Sequence, residues 1–213
     1  MIPKNIVLTK LNNNEPALGG WILTGSPVVA ELMALSGMDW VCIDVEHSAV
    51  SSETAQMMMN AIENHGSEPF IRLSGNNMEE IKTYLDMGAR GLIVPMIKSY
   101  EEVQEAISFS KFPPIGNRSY ALPRCTRYGL SSEEYFRLAN ENTFLGIMIE
   151  HVDALSNLDR IFSSPHIDAI LVGPYDLSGS MGIPGNFEDP SFSEAMDLIH
   201  RKAGEHQIRI GYH

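Results

Sequence analysis

The chain alternates short apolar runs with longer amphipathic ones, and no hairpin signal separates them. Seven runs read as strands: GGWILT (19–24), DWVCIDVE (39–46), PFIRL (69–73), GLIVPM (91–96), FLGIMIE (144–150), DAILVG (168–173) and IRIGY (208–212). They are near-continuous apolar stretches, as expected of strands covered on both faces. Between them stand the helical patterns PVVAELMALSG, SSETAQMMMNAIENHG, NMEEIKTYLDMGA, SYEEVQEAISFSK, EEYFRLANEN, HVDALSNLDRIFSS and PSFSEAMDLIHRKAGEH. Ser52 reads as an N-cap, and Gly66, Gly88 and Gly204 as helix stops. Strand–helix alternation dictates right-handed crossovers and a parallel sheet. No Gly-rich dinucleotide or P-loop fingerprint follows the first strand, which favours an α/β fold of the (β/α)8 TIM-barrel type over a doubly wound sheet. Residues 1–213 read as one barrel domain. An eighth strand and its helices would need roughly 40 further residues to reach the ~250 typical of the fold, so a barrel lacking its C-terminal part is expected.

Catalytic groups of parallel α/β folds collect where the strands end at their carboxyl edge. Four of these runs carry, or lead directly into, a residue able to do chemistry: His47, Arg72, Glu150 and Asp176. Histidine suits a general base near neutral pH; Asp44 and Glu46 beside it would orient the ring or raise its basicity. Glu150 and Asp176 form a natural pair of oxygen ligands for a hard divalent cation, leaving positions for water and substrate. Arg72 inside an apolar run needs an anionic partner, either a substrate carboxylate or enolate or a structural carboxylate. The GPYDLSGSMG turn offers backbone N–H groups to an anion. Arg118, Arg124 and Arg127, in the long stretch PPIGNRSYALPRCTRYGLSS, read equally as anion ligands or as a solvated loop, and Asp86 reads as a solvated acid near a helix end. The Met57–Met59 run and Cys42 read as core.

Net charge of -12 argues against nucleic acid as a partner. No apolar stretch approaches the ~20 residues of a membrane helix, and no signal-peptide pattern stands at the start, so a cytoplasmic protein with no membrane partner is expected. The two cysteines follow no metal or redox spacing.

With these residues assembled, the chain resembles the HpcH/HpaI aldolase/citrate lyase family, in particular its class II pyruvate aldolases acting on 2-keto-3-deoxy acids. The segments that carry the likeness are DWVCIDVEHSAV, PFIRL, IKTYLDMGARGLIVPM, KFPPIGNR, IMIEHVDALSNLDRI and DAILVGPYDLSGSMGIPGN. The resemblance implies reversible cleavage of a 4-hydroxy-2-keto acid to pyruvate and an aldehyde. It implies Glu150 and Asp176 as ligands of Mg²⁺ or Mn²⁺ (Co²⁺ also fits carboxylates), His47 as general base, and Arg72 as the group that stabilises the enolate. Asp86 matches an acid that pairs with that base, and Asp44 a further acid of the site. Pro174, Tyr175 and Asp176 match backbone that receives the pyruvate carboxylate. A homo-oligomer, hexamer or trimer, is implied as well, with a C-terminal helix exchanged between subunits of the hexamer. Val45, Ser119 and Met148 depart from residues frequent in the family and bear on substrate preference. A Schiff-base route is disfavoured: of six lysines, only Lys98 lies just beyond a strand's carboxyl end. An acyl-CoA lyase of the citrate lyase type and a silent keto-acid-binding barrel are the competing readings.

Overall fold

A computed structural model of the chain describes residues 2–211. Seven strands, β1 (Gly19–Ile22), β2 (Trp40–Asp44), β3 (Glu68–Arg72), β4 (Gly91–Val94), β5 (Phe144–Ile149), β6 (Ala169–Val172) and β7 (Arg209–Gly211), form one sheet in sequential order. Every neighbouring pair is parallel. Sequential order with right-handed crossovers curls a sheet in one direction only, which gives barrel-like curvature. Among the described residues β1 and β7 do not pair, so the wall is open between them. Tyr212, the expected last residue of the seventh strand, lies outside the described residues.

The connections are the helices α2 (Pro27–Leu35), α3 (Ser52–Asn64), α4 (Met78–Met87), α5 (Tyr100–Ser110), α6 (Ser132–Asn142), α7 (Val152–Leu155), α8 (Leu158–Phe162), α9 (Pro174–Ser180) and α10 (Pro190–Glu205). Helix α3 starts one residue earlier than expected: Ser51 is the N-cap, its Oγ accepting from Thr54 N at 3.2 Å. Gly88 ends α4 in the left-handed region and Gly66 follows α3 there, but Gly204 lies inside α10. That helix continues to Glu205, and Gln207 takes the left-handed turn (φ 56°). The HVDALSNLDRIFSS pattern divides into α7 and α8.

Side-chain alternation divides the core into two layers. Val41, Ile43, Ile71, Leu92, Ile147 and Ile170 face outward into the main cluster beneath the helices, with Met58 and Met59 of α3. Cys42, Phe70, Ile93, Phe144, Met148 and Leu171 face inward. Burial holds the Cys42 thiol well above its ordinary pKa, as suits a core residue. Trp40, Phe70 and Phe144 pack ring to ring across the interior, at 5.4 and 4.9 Å between centroids. Gly91 makes room for them: a Cβ there would meet the Phe70 ring at 2.5 Å.

Helix α1 (Ile6–Asn12), which the sequence reading did not assign, sits at the amino ends of the strands. Val7 joins the inner cluster, Asn5 Nδ2 donates to Arg90 O at 2.9 Å, and Ile6 N donates to Glu68 Oε1 at 2.7 Å. With that end covered, the mouth of the sheet is at its carboxyl edge.

Candidate active site at the carboxyl edge

Register builds the centre of the site. Asp44 and Arg72 are Cα partners at the ends of β2 and β3, on the inner face that carries Cys42 and Phe70. The Arg72 Nη2 group pairs with Asp44 Oδ2, and Nη1 lies 3.3 Å from Glu46 Oε2. Arg72 also lies over the Trp21 ring of β1, 5.1 Å from its centroid. Its buried Nε has no hydrogen-bond partner in the protein. So both anionic readings of Arg72 have a basis: two structural carboxylates hold it, and one donor is unspent.

Asp44 is 1% exposed. Its other oxygen, Oδ1, accepts from Glu46 N and His47 N, both at 3.0 Å. The carboxylate therefore organises the turn that presents His47 rather than touching its ring. Burial would raise the Asp44 carboxyl, but the Arg72 guanidinium and the two N–H donors outweigh it and hold it below its ordinary value of 3.8. The His47 ring is open to solvent, with Nε2 at 3.8 Å from Glu46 Oε2. Burial also raises the Glu46 carboxyl, against the pull of Arg72 and His47.

Glu150 continues the inward series 144, 146 and 148 one step past β5 and is 2% exposed. Met96 N donates to its Oε1 at 2.6 Å. Burial, with the charges of Glu46 and Asp176 against that one N–H and Arg72, pushes its pKa up to about 7. Gly173, at the end of β6, leaves the space this carboxylate fills: a Cβ there would lie 2.8 Å from Glu150 Cβ.

What the sequence shows as a GPYD turn is the start of α9. Pro174 opens the helix and Tyr175 and Asp176 complete its first turn, which carries no side-chain cap. The first N–H groups of a helix have no partner inside it, and those of Tyr175 and Asp176 belong to this first turn. The Tyr175 side chain is exposed and packs edge-on against Phe187 at 5.0 Å.

Asp86 is placed elsewhere. Helix α4 runs antiparallel to the strands, so its last turn lies at the end of the sheet opposite His47. There Asp86 Oδ1 accepts from Arg118 Nη2 at 2.8 Å. It is an ion-paired residue, not the solvated acid its position suggests, and within this chain it does not meet His47. Arg118 is itself buried, donating also to Tyr135 Oη at 3.1 Å and lying 4.6 Å from the Phe112 ring centroid. Arg124 donates to Met87 O at 2.9 Å and pairs with Glu63. Neither arginine is an anion ligand of the mouth. Trp21, Glu46 and Met96 belong to the site although the sequence reading gave them no firm role; only the adjacency of Glu46 to His47 was a signal for any of the three.

Among the described residues, no group of three or more His, Cys, Asp and Glu side chains is arranged to hold an ion. The donor set is two carboxylates, Glu150 and Asp176. Asp44, Glu46 and Glu150 share one guanidinium, Arg72, and Asp176 adds its charge to Glu46 and Glu150, an excess of negative charge that suits a divalent cation. Hard ions that keep several waters need only one or two protein carboxylates, so these residues fit such a group.

The chain is similar to known proteins over most of its length. The family model described as HpcH/HpaI aldolase/citrate lyase matches residues 18–210. A 4-hydroxy-2-oxo-heptane-1,7-dioate aldolase of Salmonella typhimurium is 35% identical over 196 residues, 91% of this chain and 74% of that protein. A 2-keto-3-deoxy-L-rhamnonate aldolase of Klebsiella pneumoniae is 36% identical over 194 residues, 90% of this chain and 72% of that one. A crystal structure of a family protein from Burkholderia cenocepacia J2315 superposes with a TM-score of 0.92 at 29% identity, covering 98% of this chain and 84% of the other. With the family model spanning nearly all of the described residues and relatives above 30% identity, the chain belongs to the HpcH/HpaI aldolase/citrate lyase family.

Proposed function

We propose that the protein is a metal-dependent class II aldolase that cleaves a 4-hydroxy-2-keto acid, of the 2-keto-3-deoxy sugar acid type, reversibly to pyruvate and an aldehyde. The observation that carries this reading is the gathering, at one strand edge, of a carboxylate pair, an arginine with an unspent donor and an exposed histidine. The aldolase names of the relatives support it. The fold in this reading is a (β/α)8 barrel, with the described strands as its first seven.

A Mg²⁺ or Mn²⁺ ion held by Glu150 and Asp176 would supply Lewis acidity to the 2-keto oxygen. The Tyr175 and Asp176 N–H groups, following Pro174, receive the substrate carboxylate at the helix end. His47 takes the proton of the 4-hydroxyl; its exposure lets it exchange that proton with water. The C3–C4 bond then breaks, the aldehyde leaves, and its bonding pair stays on the three-carbon fragment as an enolate. Arg72 places positive charge where that enolate develops. Asp44 holds Arg72 and the His47 turn together and so positions both. C3 then takes a proton to give pyruvate. Asp86, if it serves His47, does so from a second copy of the chain, in keeping with a homo-oligomer.

Chelation and trapping test the reading. EDTA should abolish cleavage, and Mg²⁺ or Mn²⁺ should restore it. Activity that survives EDTA but is lost on borohydride treatment with pyruvate would replace the metal route by a Schiff base. Deuterium exchange into the pyruvate methyl group separates an aldolase from a silent binder, which would bind pyruvate without exchange.

A further inference from the structure

We infer that Met96 is a positioning residue of the metal site, acting through its backbone; this rests on the reading of Glu150 as a metal ligand. Met96 follows β4 in the segment Pro95–Met96–Ile97 and has a φ of 56°. That is the left-handed region, which an unbranched side chain enters at a cost and a β-branched one strongly avoids. Its flanking residues Pro95 and Ile97 are buried, while Met96 is 38% exposed. The strained residue is the one whose N–H donates to Glu150 Oε1 at 2.6 Å.

The consequence for Glu150 is geometric. A carboxylate can rotate about its terminal bond and offer either oxygen to a cation. The Met96 N–H occupies a lone pair on Oε1, and the space left by Gly173 receives Oε2. The two together fix the plane of the carboxylate before any ligand arrives. Outer partners of this kind orient the ligating group, and their loss typically weakens metal affinity about 10- to 100-fold. The turn after β4 thus holds one residue in an unfavourable conformation, and the N–H so directed is the protein donor on the buried ligand. The methionine side chain is incidental to this role.

The prediction separates backbone from side chain. Met96→Gly keeps the N–H and favours positive φ; Met96→Val keeps the N–H but disfavours the conformation that aims it. Mn²⁺ titrated into the unmodified chain and both variants, followed calorimetrically without substrate, gives the dissociation constants. Urea unfolding of each variant shows that the comparison is between folded proteins. We expect Met96→Val to bind Mn²⁺ about 10-fold or more weakly, and Met96→Gly to bind within about 3-fold of the unmodified chain. Equal binding by all three proteins would overturn the inference while leaving the metal reading intact. A Gly variant as impaired as a folded Val variant would assign the role to the side chain and overturn it too. If the valine chain does not fold, the glycine variant alone decides: binding weakened 10-fold refutes the backbone role, and unchanged binding upholds it. Absence of Mn²⁺ binding by the unmodified chain would remove the metal reading and this inference with it.

Discussion

Gly173→Ala should disable the site through space alone. Gly173 has φ -97° and ψ 91°, a conformation alanine adopts freely, so the backbone does not resist the change. The new methyl group would stand 2.8 Å from Glu150 Cβ and 3.3 Å from its Cδ. Ordinary contact begins near 3.4 Å, so Cβ must retreat by about 0.6 Å. A Cβ cannot swing away as the end of a long side chain can; it moves only with its backbone. The end of β5 must therefore part from the end of β6, between two strands paired through Ile149 and Val172. Overpacking of this kind costs about 1–3 kcal/mol. The functional loss should be larger in proportion, because a catalytic constellation tolerates about 0.5 Å of displacement and 1 Å costs about 100-fold. Cleavage of a 4-hydroxy-2-keto acid, followed by pyruvate release, should fall about 10- to 100-fold in kcat/KM. Mn²⁺ affinity should weaken about 10-fold with the fold retained in urea unfolding. An alanine variant with undiminished kcat/KM and Mn²⁺ affinity would refute the claim that Gly173 provides the space in which Glu150 is held.

Arg72→Lys keeps the charge but loses the fork that spans Asp44 and Glu46; kcat should drop about 100-fold or more, with a smaller change in KM, in steady-state cleavage assays. Because Asp44 titrates below its ordinary value in the folded chain, its contribution to stability is fully present above pH 3.8 and is lost as pH falls through the depressed pKa. Arg72→Met should remove that contribution, seen as a smaller loss of unfolding free energy as pH falls below 3.8; identical pH profiles would refute the pairing. Arg118→Met leaves Asp86 and Tyr135 without their cation and should cost about 3 kcal/mol in urea unfolding. Lys111→Met orphans Asn140 O and Thr143 O at the end of α6, where Lys111 Nζ donates at 2.9 and 2.7 Å, and should cost about 2 kcal/mol in the same measurement.

Strands and most helices were legible in the sequence because burial on both faces leaves long apolar runs, and because most of the longer helices carry their own N-caps. Helix α1 was not, since its stability comes from closing the floor of the sheet through Val7 and Asn5, contacts that lie far away in sequence. The same distinction divides the site. His47, Arg72, Glu150 and Asp176 each stand inside or just beyond an apolar run, so local position reveals them. Asp86 stands on a helix, and its position along the chain says nothing about which end of the sheet that helix reaches; the direction of α4 decides it and pairs it with Arg118. Trp21 and Met96 were illegible for a further reason. The first acts by lying beneath Arg72 from β1, two strands away, and the second by the direction of a backbone N–H, which any residue but proline possesses. Side-chain chemistry can be read from a sequence, whereas a backbone donor becomes specific only through the conformation that aims it. The residues that hold a site in place are therefore harder to read in a sequence than those that react, and in this chain Gly173 and Met96 bear on the same carboxylate, Glu150.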